Sequence, residues 1–86
     1  MIDKFLRFFD HNCTFFDSDT HMDIYYSRRG NWCIHIWRDG YVYYDGDEQE
    51  IKTEIINVKD CDMESCFAKA YVALKEWLTK HDCLRY

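Results

Sequence analysis

The chain has no proline, only 3 glycines and fewer basic than acidic residues, 11 Lys and Arg against 16 Asp and Glu. So little proline and glycine excludes a linker or low-complexity tail. A net charge of −5 argues against general affinity for phosphate backbones. Long apolar runs are missing as well. Residues 1 to 16 carry Asp3, Lys4, Arg7 and Asp10 among the apolar positions, which breaks any membrane span or leader core. With 86 residues there is room for one domain, residues 1–86, and not for a second domain or a nucleotide-binding α/β sheet.

What the chain has instead is aromatic: 6 Phe, 7 Tyr and 3 Trp. A domain this short buries only about 60% of the surface its unfolded chain exposes, so large side chains must supply the core. Five cysteines are an odd number. With no leader visible, the expectation is a cytoplasmic protein with reduced thiols. The acidity is local. Between Asp39 and Glu64 nine acids face two bases, a charge of −7, and the rest of the chain sums to +2. Such a patch suits a basic partner or a solvated loop.

Ile2, Phe5, Leu6 and Phe9 recur at helical spacing and predict a short helix over residues 2 to 11. Turn formers follow, with Phe15 and Phe16 placed to pin the connection to the core. Met22, Ile24 and Tyr26 alternate with polar neighbours, and a second strand runs through Trp32–Trp37. Asp39-Gly40 is a strong hairpin signal because both central residues of a type I′ turn need positive φ. A turn there pairs Arg38 with Tyr41, Trp37 with Val42, Ile36 with Tyr43 and His35 with Tyr44. One face then carries Trp32, Ile34, Ile36, Tyr41 and Tyr43, and the other carries Cys33, His35, Trp37, Val42 and Tyr44. An odd-length first loop adds Met22, Ile24 and Tyr26 to the first face, and an even one adds them to the second.

Asp45 to Glu50 reads as an acidic loop, and Ile51–Val58 as a fourth strand or an extension of the third. Met63, Phe67, Ala70, Leu74, Trp77 and His81 step by three and four through the long C-terminal helix. Cys66, Tyr71 and Leu78 widen the stripe, and Asp60 or Asp62 caps it. The predicted class is α+β: a three- or four-stranded antiparallel sheet with a short N-terminal and a long C-terminal helix. The long helix covers the first sheet face. For the second face the favoured arrangement is a lid formed by the N-terminal helix, giving an α/β/α sandwich; the alternative leaves it open to a partner.

Chemistry-bearing motifs are weak. Cys33-x-His35 and Cys61-x₄-Cys66 pair soft ligands, but zinc sites use tighter spacings and four convergent ligands. Cys33, Cys61 and Cys66 have His35 or His81 as prospective bases, without a signature around them. Two of the three glycines fall in apparent hairpin turns, which leaves no phosphate-cradling loop. No catalytic residue, metal or cofactor is expected.

The element order is that of the double-stranded-RNA-binding domain, and Phe67-Ala68-Lys69-Ala70-Tyr71-Val72-Ala73-Leu74 resembles that family's last helix. The lysines with which the family grips phosphates are replaced here by Asp60, Asp62, Met63 and Glu64, so direct RNA binding is disfavoured. Gly30-Asn31-Trp32-Cys33-Ile34-His35-Ile36, a hairpin, a polar strand and the Ala68–Leu74 run resemble small phage proteins of the α/β/α sandwich type. In size, acidity and element order the chain is similar to several anti-CRISPR proteins. That resemblance implies a stoichiometric inhibitor of a host nuclease, its carboxylates standing in for DNA phosphates.

The expected function is therefore non-enzymatic binding to a protein, a host nuclease or its effector complex, in the host cytoplasm, with no direct nucleic-acid or membrane contact. Asp45, Asp47, Glu48 and Glu50 are the expected charge donors, and Trp37, Tyr44 or Tyr43, together with His35, the anchors. A scaffolding protein that homodimerises through the second sheet face is the alternative, and a thiol or metal enzyme the third.

Overall fold

Ile2, Phe5 and Phe9 fall on one side of helix α1, Ile2–Phe9, with Phe5 and Phe9 buried. On its outer side Arg7 Nε donates to Asp3 Oδ2 at 3.0 Å, one turn away. In this computed structural model, which describes residues 1–14 and 20–84, α1 continues as a π-helical turn, Asp10–Thr14. The wider turn brings Asn12 and Cys13 inward, and the Asn12 amide donates to the Phe8 carbonyl at 3.1 Å. Phe15 and Phe16, expected to pin the connection, lie outside the described residues.

Three antiparallel strands follow, β1 (Thr20–Tyr26), β2 (Trp32–Tyr44) and β3 (Asp47–Asp60), in that spatial order. The first hairpin closes between Ser27 and Asn31, where Ser27 N–H donates to Asn31 O at 2.7 Å. Gly30 supplies the left-handed residue at φ 82°. The loop is odd in length, so Met22, Ile24 and Tyr26 stand opposite Ile36, Ile34 and Trp32 on the first face.

The second hairpin corrects the expected turn. Asp39-Gly40 lies inside β2, with Asp39 opposite Lys52 and Gly40 opposite Ile51. The chain reverses instead at the other Asp-Gly pair, Asp45-Gly46, at φ 52° and 83°, the double positive φ of a type I′ turn. Residues 45 to 50 are thus a turn and the start of β3, and Ile51–Val58 belongs to that same strand. The physical reason is partner supply. A turn at Asp45-Gly46 gives two strands of matched length and aligns Ile34 with Val58 and Ile36 with Ile56. A turn at Asp39-Gly40 forfeits those buried pairs. Between Ile36 and Trp37 the register slips by one, a bulge that turns both Ile55 and Ile56 into the core.

Helix α2 spans Met63–Lys80. The Asp62 side chain caps it, accepting from Ser65 N–H at 2.8 Å, while Asp60 accepts from Asp62 N–H at 2.8 Å. Cys66, Phe67, Ala70, Leu74 and Leu78 form its buried ridge. Met63 and Trp77 pack at the border of the core. His81 is exposed and stacks on Trp77 at 4.0 Å.

Both helices lie on the same side of the sheet. Phe5 meets Phe67 edge to face at 5.6 Å and Phe8 tilts onto Tyr71 at 4.8 Å, so α1 packs on α2. Those contacts consume the apolar stripe of α1, and the expected α1 lid over the second sheet face does not form. The result is a two-layer α+β domain whose core unites Phe5, Phe9, Ile34, Ile36, Ile55, Ile56 and the α2 ridge. No helix among the described residues is long and apolar enough to cross a membrane.

Candidate functional site

Beyond the helical layer, β2 and β3 continue as a two-stranded arm. Residues 41 to 54 are exposed without interruption. The radius of gyration is 14.3 Å, against about 12 Å for a compact domain of this length; the arm accounts for the excess. Six residues separate Trp37 from Tyr43, a span of about 20 Å along the strand.

Alternation along β2 places His35, Trp37, Asp39, Tyr41 and Tyr43 on the second face, since Ile34 and Ile36 point into the core. Tyr41 and Tyr43, expected in the core, are 61% and 77% exposed. Moving the turn by six residues is what transfers them. Val42 and Tyr44 go the other way, onto the helix side of the ribbon but past the end of the helical layer, where Tyr44 is also exposed.

The expected site residues therefore form two groups. Asp45, Asp47, Glu48, Glu50 and Tyr44 gather at the arm tip. They do not share a face: Glu48 and Glu50 stand opposite Tyr43 and Tyr41, and Asp47 stands opposite Tyr44. His35 and Trp37 lie at the base of the arm, in a second cluster. Tyr43, expected both as a core residue and as an anchor, joins this surface with Tyr41, His21, Asp23 and Glu54, and those last four were missed by sequence reasoning. Placing the turn at the second Asp-Gly pair is the signal that exposes the two tyrosines.

The base cluster is ordered by ring stacking. His21 stacks on Trp37 across the strands, centroids 5.3 Å apart and planes 19° apart, and His35 tilts against Trp37 at 4.9 Å. Each imidazole meets a carboxylate, His21 Nε2 at 2.9 Å from Asp39 Oδ2 and His35 Nε2 at 3.4 Å from Glu54 Oε1. Beside them lies an open depression of about 420 Å³ lined by Asp23, His35, Trp37, Lys52 and Glu54.

Cys13, Cys33 and Cys66 behave as small buried groups, whereas Cys83 is half-buried and Cys61 exposed. Cys66 Sγ donates to the Trp32 carbonyl at 3.4 Å, and burial pushes its thiol up. Burial raises Cys13 to about 11, against the opposing pull of Arg38. Thiol nucleophiles need the reverse shift. Among the described residues no three His, Cys, Asp or Glu side chains converge as a metal site requires.

No protein-family model, curated protein or solved structure matches the chain. The functional reading rests on geometry and residue chemistry.

Proposed function

We propose that the chain is a non-enzymatic binding protein, encoded by a phage or mobile element, that inhibits a host nucleic-acid-directed nuclease from within the host cytoplasm. The observation that carries this reading is the arm: four carboxylates set around a tight turn at the end of a ribbon that projects from a small rigid domain. Nucleases hold nucleic acid in channels lined with Lys and Arg, and a narrow acidic ribbon occupies the same ground. Tyr41, Tyr43 and Tyr44 supply apolar contact area next to the charges, as anchoring residues do at protein interfaces. The anti-CRISPR resemblance points the same way, and the partner is a protein surface rather than nucleic acid.

The test is a cleavage assay against a panel of CRISPR effector nucleases. Reversing charge with Asp45→Lys, Asp47→Lys, Glu48→Lys and Glu50→Lys abolishes inhibition while the circular dichroism spectrum is retained. Undiminished potency of the reversed chain rules out the charge-mimic mechanism.

The second reading is a scaffold that self-associates through the open sheet face, and the exposed tyrosines favour it. Light scattering separates the two, since a monodisperse monomer at high concentration excludes the scaffold.

A further inference from the structure

The second sheet face has an order across its strands that the arm does not use. One row of register partners is Asp23, His35 and Asn57, and the next is His21, Trp37 and Glu54. Rings occupy the centre and carboxylates flank them on both outer strands. The depression lined by Asp23, His35, Trp37, Lys52 and Glu54 opens here, on the side of the sheet opposite both helices. Over the whole face Asp23, Asp39, Glu48, Glu50 and Glu54 outnumber Lys52 and Lys59, which repels phosphate and attracts a cationic surface.

We infer that this notch receives an arginine side chain of a basic protein partner. The inference rests on the reading of the chain as a binder of basic protein surfaces, and names the side chain that such a surface brings. Arginine fits on three counts. A guanidinium is planar and weakly hydrated, so it lies against flat rings, whereas an ammonium is compact and holds its water. It bonds a carboxylate through two parallel N–H groups. Asp23 and Glu54 sit on the two outer strands in adjacent rows, two strand spacings across and two residues along, a backbone separation of about 12 Å, which leaves room for one guanidinium between their side chains.

The notch is built in advance. His35 Nε2 and Asn57 Nδ2 both contact Glu54 Oε1, at 3.4 Å and 3.3 Å, so the carboxylate is oriented while Oε2 keeps an open side. His21 and His35 brace Trp37 from two directions. Lys52 opposes a cationic guest, and it is the one lining residue whose removal strengthens binding.

The test titrates the full chain with a short alternating Arg-Gly peptide and with the Lys-Gly peptide of equal length, following the Trp37 indole N–H by NMR. The Arg peptide binds about three- to fivefold more tightly and shifts the Trp37 resonance. Glu54→Gln and Asp23→Asn each reduce that preference, and Lys52→Ala tightens the Arg peptide. Equal affinities with an unmoved Trp37 signal overturn the notch. Repeating both titrations on the chain with the four arm charges reversed keeps the two proposals apart. The arginine preference survives that reversal although total affinity falls; its disappearance there overturns the notch, while loss of nuclease inhibition bears on the arm alone.

Discussion

Trp37 stands opposite Glu54 while its neighbour Ile36 stands opposite Ile56. Ile55, left over between them, turns into the core at 7% exposed. This single extra residue does two things. It gives β3 consecutive inward isoleucines, and it returns Glu54, Glu50 and Glu48 to the face of Trp37, Tyr41 and Tyr43.

Two isoleucines of the same strand then separate the core from the arm. Ile55→Ala removes buried methyl groups from the core and costs about 2–4 kcal/mol. Ile51→Ala, at a position 41% exposed, changes stability by about 0.5 kcal/mol or less. Urea denaturation measures both, and equal losses would show that the arm is packed as tightly as the core.

The two Asp-Gly pairs give the second prediction. Gly46 is held at φ 83°, so Gly46→Ala strains the turn by about 1–2 kcal/mol. Gly40 lies inside β2 with open space around its missing side chain, and Gly40→Ala is neutral or slightly stabilising. Amide exchange at Tyr43 and Glu48 reports the difference, because those residues are partners across the ribbon. Faster exchange on changing Gly40 rather than Gly46 would return the turn to Asp39-Gly40.

That pair also marks where the sequence was readable and where it was not. The α2 helix announces itself through Phe67, Ala70 and Leu74, which recur at helical spacing and are all buried. Strand positions and the α+β class follow from alternation over Met22–Tyr26 and Trp32–Trp37. Local turn chemistry could not rank Asp39-Gly40 against Asp45-Gly46, since both carry the same dipeptide. Ranking them needs the pairing partners of Ile34 and Ile36, a non-local quantity. Everything downstream of that choice, including the exposure of Tyr41 and Tyr43, moved with it. That Asp45, Asp47, Glu48 and Glu50 lie together was legible because charge clustering is local in sequence. His21, Asp23 and Glu54 were not, because they meet Trp37 and His35 only through the register.

A third prediction concerns acid. Lys69 donates to Asp60, whose carboxylate also accepts the Asp62 N–H behind the α2 cap, and these bonds hold Asp60 below its ordinary value of 3.8. With the folded value lower than the unfolded one, the contribution is complete well above pH 3.8 and fades as pH falls through the lower folded value. Asp60→Asn therefore lowers the melting temperature at neutral pH, and the difference from wild type narrows on acidification. A gap that stays constant down to pH 2 would assign the effect to packing instead. Asp62→Ala removes the cap itself and costs about 1 kcal/mol.

Thiol chemistry provides the last prediction. Cys13, Cys33 and Cys66 are buried, Cys83 is half-buried and donates to the His81 carbonyl at 3.2 Å, and Cys61 is exposed. Burial keeps the Cys13 thiol, at about 11, and the Cys66 thiol protonated at neutral pH, and the thiolate is the reacting species. Iodoacetamide at pH 8 followed by mass spectrometry thus labels Cys61 first, while Cys13 and Cys66 react only as fast as the fold opens. Raising urea into the unfolding transition releases them together. Rapid labelling of Cys66 in the native protein would mean that the N-terminal turn of α2 opens independently of the core, and the cap at Asp62 would then be the weak point of the domain.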